Sequence, residues 1–294
     1  MGSQNFTSAI LVTGAGGQLA NEIRTLASGF SQYQFFFTTK DELPIDNSEA
    51  LQQFFDKHRI HYCINCAAYT AVDKAESEKE KAFKINADAV GELASLCRAH
   101  RAQLIHISTD YVYDGTKEVA LKEDNAVAPL NTYGWSKLQG EELALKKNPS
   151  SLIIRTSWVY SSFGNNFVKT MLRLFKEKEE INVVSDQFGS PTYAADLAEI
   201  IMEFINRMEQ GEAFSGIVNY CNEGITNWFE FADEIKRLVH SNCRINPISS
   251  SSYVTAATRP KYSVLDTSKI QLLLGTDIPD WKTSLQKCLQ KLNA

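Results

Sequence analysis

Between residues 9 and 155 the spacing of apolar side chains switches repeatedly between two periods. Ala9-Ile10-Leu11-Val12-Thr13 is a short continuous apolar run, the pattern of a strand buried on both faces. Leu19, Ile23, Leu26 and Ala27 then fall at i, i+4, i+7 and i+8, one stripe of a helix. The alternation continues with strands at Gln34–Thr38, His61–Asn65, Leu104–Ser108 and Leu152–Arg155. The intervening helical stripes run through Leu51, Phe54 and Phe55, through Val90, Leu93, Ala94 and Cys97, and from about Tyr133 to Lys146. Strands that alternate with helices in this way form a parallel sheet covered on both faces. The expected fold is therefore α/β, a doubly wound parallel sheet of Rossmann type with a smaller C-terminal substrate-binding region.

Beyond residue 160 the pattern loosens. Helices are predicted at Asn166–Lys178, Asp196–Met208, Trp228–His240 and Trp281–Leu292, and short strands at Ile217–Tyr220, Arg244–Ile248 and Ser263–Leu265. The run Ser249-Ser250-Ser251-Ser252 reads as a mobile loop. The expected division is a dinucleotide-binding domain over 1–160 and a mainly substrate-binding region over 161–294, with some segments returning to the first domain. At 294 residues the chain is long enough for both.

A net charge of −5 gives no basic face for nucleic acid or an anionic membrane. No apolar run reaches the roughly 18 residues that span a bilayer. Met1–Phe6 has neither the basic start and apolar core of a signal peptide nor the myristoylation pattern, so a cytoplasmic protein is expected. The six cysteines include Cys63-Ile64-Asn65-Cys66, which spells C-x-x-C. There is no second Cys pair to complete a zinc site, and residues three apart on a strand point to opposite faces. Structural thiols of a reducing compartment are the expectation, with no protein metal ligands.

Three groups of residues carry chemistry. The first strand runs into Gly14-Ala15-Gly16-Gly17 and then a helix. Glycines at 14 and 17 let a pyrophosphate approach the amides of the helix N-terminus, and Ala20 takes the small position where helix meets sheet. At the end of the second strand, Thr39 and Lys40 could receive a 2′-phosphate, whereas Asp41 could hold the ribose hydroxyl of NAD, so NADPH is favoured with NADH left open. Tyr133 and Lys137 at i, i+4 share one helix face, where an ammonium can lower a phenol's pKa and make it a proton donor to a carbonyl oxygen. Thr109 and Asp110 lie at the carboxyl end of a parallel strand, where ligands of open α/β sheets bind.

With these residues the chain resembles the extended short-chain dehydrogenase/reductase superfamily. Asn65–Glu76, with its Ala-Val-Asp-Lys-Ala-Glu stretch, Arg155–Tyr160, Asp186–Thr192 and Arg259-Pro260 make it similar, more narrowly, to the dTDP-4-dehydrorhamnose reductase family. The resemblance implies reduction of the 4-keto group of dTDP-4-dehydro-6-deoxy-L-mannose by NAD(P)H. It implies Tyr133 as proton donor, Lys137 on the nicotinamide ribose and Thr109 assisting. Gly17, Gln18 and Leu19 would line the pyrophosphate, Asp46 and Asn47 the adenine, and Ala67, Ala68, Tyr69 and Thr70 the ribose and nicotinamide side. Thr109, Asp110 and Trp158 would contact the deoxysugar. Two departures from the family pattern are Ala20 for the third glycine and Tyr69 where many relatives carry His. Some relatives use magnesium at a dimer interface, so a magnesium ion and a homodimer follow from resemblance alone. The competing readings are another nucleotide-sugar epimerase or reductase of the superfamily and a non-catalytic NAD(P)-binding regulatory subunit. A dehydratase needs a second acid after Thr109-Asp110, and Tyr111 stands there instead.

Overall fold

A computed structural model describes residues 7–293. The Met1–Phe6 segment weighed above as a targeting signal lies outside the described residues. Strands β1 (Ser8–Thr13), β2 (Tyr33–Thr38), β3 (Tyr62–Asn65), β4 (Gln103–Thr109) and β5 (Leu152–Thr156) join the strand Gly216–Asn219 in one six-stranded sheet. From one edge the order is Gly216–Asn219, β5, β4, β3, β1, β2, and every pairing is parallel. The chain winds outward in both directions from the β1/β3 boundary, so the order reverses there, and the crevice beyond the carboxyl ends of those two strands is the expected ligand site. The register sets Thr13 beside Asn65 at that boundary.

Burial on both faces explains the near-continuous apolar strands. Ile10 and Val12 face a core shared with Ile23 of helix α1 (Gln18–Ala27) and with Leu197, Ile201 and Phe204 of the helix Ala194–Glu209. Leu11 and Cys63 face the opposite core, with Leu51 and Phe55 of helix α2 (Ser48–Lys57) and Val90 and Leu93 of the helix Ala89–Ala99. Cys63 and Cys66 pack into these two different cores, and all six thiols are free. Among the described residues no helix is long and apolar enough to cross a membrane.

A separate apolar cluster in the C-terminal half joins Val168, Phe231, Ile235, Trp281 and Leu285. It covers a parallel strand pair, Glu180–Val184 with Arg244–Ile248. The first of these strands is not anticipated by the sequence pattern, since it follows the charged run 176–180 and buries only Ile181 and Val183 fully. The expected strand Ser263–Leu265 forms isolated bridges instead, Leu265 to Leu121 and its neighbour Tyr262 to Phe188. The serine run is also more ordered than a mobile loop. Ser250–Ser252 is a single 3₁₀ turn, and the Asp186 carboxylate accepts from Ser250 N–H and Oγ at 2.8 and 2.9 Å.

Candidate active site

The site starts at Gly14. Its φ of +68° is left-handed, and a Cβ there would lie 2.7 Å from Ala67 N, so only glycine allows this turn to lie against the segment leaving β3. Gly17 N–H donates to Gly14 O at 2.8 Å, and Ala15 N–H to Thr38 O at 3.0 Å. Gly17 is the N-cap of α1 with no side chain to cap it, and the first turn carries no acidic residue. The first amides of α1 are thus free to meet an anion. Ala20 is fully buried against the sheet, as its small position requires. Gln18 links this turn to the C-terminal half, accepting from Asn166 Nδ2 at 2.8 Å, while Leu19 is buried in the core beneath.

At the end of β2, Thr39 N–H and Oγ1 both donate to Glu42 Oε2, at 2.8 and 2.9 Å, which holds the Glu42 carboxyl below its usual range. Lys40 is exposed beside them, and the buried Thr38 hydroxyl has no partner. Asp46 pairs with Lys84 at 3.2 Å, and Asn47 caps α2 by accepting from Ala50 N–H at 3.1 Å. The unpartnered Thr38 hydroxyl, the uncapped helix start and the glycine cradle all fit a dinucleotide laid across these carboxyl ends.

The floor of the crevice is made by the helix Thr132–Lys147. Asn131 caps it, accepting from Gly134 N–H at 2.8 Å, and Glu76 accepts from Thr132 N–H and Oγ1 at 2.7 and 3.0 Å. A Cβ on Gly134 would sit 2.3 Å from Tyr111 O, so glycine between the Tyr and the Lys lets the helix dock on the turn that follows β4. Asn86 lies in a π-helical turn, Lys84–Asp88. Its carboxamide accepts from Tyr69 N–H at 2.8 Å and donates to Tyr69 O and Ser136 Oγ at 3.0 and 2.9 Å. This clamps the segment Ala67-Ala68-Tyr69-Thr70 onto the same helix. Sequence pattern does not single out Asn86, although extra helical turns of this kind are common at functional sites.

Thr109, Asp110, Tyr133 and Lys137 come together here. Burial pushes the Tyr133 phenol up to about 12, against the pull of a hydrogen bond with Thr109 and with Asp110 raising it further. Burial pushes Lys137 down to about 8, opposed by Glu141 and Cys66. Lys137 Nζ donates to Ile107 O at 2.7 Å and lies 3.2 Å from His106 Nε2, which draws the nitrogen to the β4 backbone. The Tyr133 phenol is thus raised by burial, whereas the helix-face pairing leads one to expect it lowered. The Tyr133 ring stands edge-on to Tyr111, 5.7 Å between centroids.

Asp110 is 2% exposed and burial pushes its carboxyl up to about 6, against hydrogen bonds from Ser263 and Thr109. No hydrogen bond reaches its Oδ2. A carboxyl raised on folding makes the folded state the tighter proton binder, so stability falls as pH rises towards the folded pKa of about 6, and the loss persists above it. Asp110→Asn should therefore raise the melting temperature above about pH 6, by the equivalent of about 1–3 kcal/mol, and change it little near pH 4. Melting curves across that range check this, and an equal shift at every pH would contradict it.

Trp158 lies just past β5 in a left-handed conformation, φ +47°. Its indole stacks on Trp228, 3.6 Å between centroids and 10° between planes, over Gly189, where a Cβ would be 2.7 Å from the ring. Trp228 in turn touches Phe167, 4.7 Å between centroids. Neither Trp228 nor the latch in which Asp73 accepts from Arg259 at 2.7 and 3.1 Å and from Ala257 N–H at 3.0 Å stands out in the sequence pattern. Asp73 and Glu76 thus give the Ala-Val-Asp-Lys-Ala-Glu stretch two separate tasks. Among the described residues of this one chain no three His, Cys, Asp or Glu side chains are grouped to hold a metal ion.

Residues 8–294 match the family model described as the RmlD substrate binding domain. A dTDP-4-dehydrorhamnose reductase of Aggregatibacter actinomycetemcomitans is 38% identical, over 94% of this chain and 97% of that protein. A spore coat polysaccharide biosynthesis protein of Bacillus subtilis is also 38% identical, over 96% and 97%. Among solved structures, a dTDP-4-dehydrorhamnose reductase from Bacillus anthracis in complex with NADP superposes with a TM-score of 0.92 at 38% identity, covering 97% of this chain and 99% of that one. One from Clostridium acetobutylicum gives the same score and identity over 97% and 100%. With a match spanning nearly its whole length and a Rossmann-like sheet in common, this chain belongs to the RmlD substrate binding domain family.

Proposed function

We propose that the chain reduces the 4-keto group of dTDP-4-dehydro-6-deoxy-L-mannose to the alcohol of dTDP-L-rhamnose. The observation that carries this reading is the convergence of Thr109, Tyr133 and Lys137 at the carboxyl ends of the parallel strands, next to the glycine turn. Family membership and the names of the relatives support the same substrate class. NADPH is the proposed cofactor, supported by the NADP complex of the Bacillus anthracis relative and by the exposed Lys40 beside Thr39. When bound, it supplies the hydride that attacks C4.

As the C4–H bond forms, the carbonyl π pair moves onto O4 and Tyr133 Oη delivers a proton there. Thr109 Oγ1 hydrogen-bonds the same oxygen. The amides of α1 beyond Gly17 meet the pyrophosphate, Asp46 and Asn47 border the adenine, and Ala67–Thr70 line the ribose and nicotinamide side. Lys137, at the crevice floor, holds the ribose hydroxyls. Asp110 and Trp158 contact the deoxysugar, the indole offering an apolar face to the C6 methyl and an N–H to a hydroxyl. A cytoplasmic biosynthetic enzyme fits these roles.

The deciding experiment supplies the 4-keto sugar nucleotide with NADPH and then with NADH, and determines the configuration of the product. Net cofactor oxidation giving the L-rhamno product supports the reading. Redox-neutral turnover would indicate an epimerase, and binding without turnover a regulatory subunit. Trp158→Ala tests the sugar contact separately. It should raise KM for the nucleotide sugar about 5- to 150-fold, the worth of about 1–3 kcal/mol of aromatic contact, with NADPH affinity within a few-fold. Loss of the Trp228 stack should lower the melting temperature modestly, since such pairs contribute about 0.5–1.5 kcal/mol. A collapsed melting temperature with unchanged KM would make Trp158 a packing residue only.

A further inference from the structure

The net charge of −5 conceals an uneven distribution, and the expectation of no basic face for an anionic membrane does not hold along one edge. The candidate active site lies at the carboxyl ends of the strands. At their amino ends α2, the helix Ala89–Ala99 and the helix Thr132–Lys147 finish side by side and lead into three adjacent strands, β3, β4 and β5. Residues 56–61, 98–101 and 146–148, which make these ends, include Lys57, Arg59, Arg98, Arg101, Lys146 and Lys147. They also hold three of the five histidines and a single carboxylate, Asp56. The ends are in contact. Arg98 Nη1 donates to Lys147 O at 3.2 Å, and His100 Nε2 lies 3.3 Å from Gln52 Nε2 and 3.6 Å from Asp56 Oδ1. Packed helices lie about 10 Å apart, so three in a row spread these cations over about 20 Å. On the other face of the sheet Glu209 accepts from Ser8 Oγ and Tyr62 Oη, each at 2.7 Å, which confines the basic edge to the α2 side.

A basic residue in the last turn of a helix complements its dipole and by itself asks for no partner. Two features set this edge apart. Arg59 and Arg101 lie beyond the helix ends, in the loops that enter β3 and β4, and both are exposed. The arginines here are also unpaired. Six of the ten arginines meet a carboxylate, and those in the last turns of other helices are held in this way, Arg207 by Glu203 at 2.7 Å and Arg237 by Glu234 at 2.6 Å. Of the four that meet none among the described residues, Arg24 lies over the Phe37 ring, and the other three are Arg59, Arg98 and Arg101.

We propose that this edge docks the protein on an anionic lipid bilayer, with headgroup phosphates facing the row of arginines and lysines. The cations form a line along an edge, which suits a plane of phosphates better than a single ligand. None of the large apolar side chains exposed among the described residues lies in these three segments. The edge thus has no anchor for a peptide partner, no exposed aromatic ring to stack on a single nucleic-acid strand, and nothing to insert among acyl chains. It consists of helix ends and short loops, with no projecting helix or ribbon to enter a duplex groove. At one end of the row a cavity of about 290 Å³, lined by Gln34, Lys57, His58, Arg59 and His61, gives room for one headgroup. Docking by the amino ends of the strands leaves the crevice at the carboxyl ends open to solution, so cofactor and substrate exchange continue.

Attachment of this kind is electrostatic and acts within a Debye length of the surface. The full chain should therefore sediment at low salt with vesicles containing about one-third phosphatidylglycerol, and not with vesicles of phosphatidylcholine alone. At about 0.5 M salt, where the Debye length falls to about 4 Å, binding should be lost. Arg59→Glu combined with Arg101→Glu should lower partitioning by about 10-fold or more, and the corresponding pair of Gln substitutions by less. NADPH affinity in these variants should stay within a few-fold of wild type. Lys176→Glu with Lys178→Glu makes the same change in net charge at another exposed helix end and should leave vesicle binding largely intact. No sedimentation with the anionic vesicles at low salt, or equal losses in the two Glu pairs, would overturn the proposal. Retention on a duplex oligonucleotide without binding to vesicles would overturn it in favour of nucleic acid. Sedimentation needs no substrate, so the outcome is independent of the reductase reading.

Discussion

Tyr133→Phe should bind NADPH within a few-fold of wild type and lose about 10²–10⁴ of its turnover, the usual contribution of a positioned proton donor. The ring remains edge-on to Tyr111, so packing is retained and only the hydroxyl beside Thr109 is removed. Because burial holds the phenol up to about 12, Tyr133 carries its proton throughout the neutral range, and the cost of donating it is the phenolate left behind in a buried site. Pre-steady-state reduction by saturating NADPH at neutral pH measures the effect on the chemical step alone. A Phe variant within a few-fold of wild type in that step would remove Tyr133 from the proton-donor role.

Glu141→Ala should cost about 3–5 kcal/mol of stability, the penalty for leaving one member of a buried ion pair without its partner. Arg155 Nη2 lies 2.7 Å from Glu141 Oε2, both side chains are about as buried as any in the core, and Arg155 Nε reaches both oxygens at 3.0 and 3.2 Å. Ser108 Oγ donates to Glu141 Oε1 at 2.5 Å, and Arg155 Nη1 meets Tyr113 Oη at 2.6 Å. This cluster ties the helix Thr132–Lys147 to β4 and β5. Denaturant unfolding of Glu141→Ala and of Glu141→Leu combined with Arg155→Met distinguishes the sources of the loss. The double variant should recover much of the stability, since an apolar replacement of both partners has no charge left to bury. Equal losses in both would assign the effect to packing volume instead of the unpaired guanidinium.

These two sites differ in how readable they were from residues alone. The Tyr133–Lys137 pair is a local feature, since four residues along a helix return to the same face. The glycine turn is local too. Gly14 must adopt φ +68° and Gly17 must leave the helix start bare, and both needs are visible as residue choices next to an apolar strand. The Glu141–Arg155 pair joins two elements fourteen positions apart, and neither residue differs in the sequence from a charge on a solvated face. His106 likewise reads as one polar residue in an apolar strand until Asn65 and Lys137 are seen to meet it from opposite sides.

The doubly wound sheet, the order of its first five strands along the chain and the carboxyl ends at which a site is expected can be read from residues alone, because periodicity, glycine conformation and helix-face geometry are set within a few residues. The tertiary structure alone decided the remainder. It pairs Glu180–Val184 with Arg244–Ile248, although the first strand buries only alternate side chains and follows a charged run. It sends Glu76 to the start of the helix Thr132–Lys147 and Asp73 to Arg259, 186 positions away. It turns Trp158 into a left-handed conformation against Trp228, and draws the Lys137 nitrogen to Ile107 O and His106. Each of these depends on which buried donor meets which acceptor once distant segments are packed together, and that pairing leaves no period in the chain.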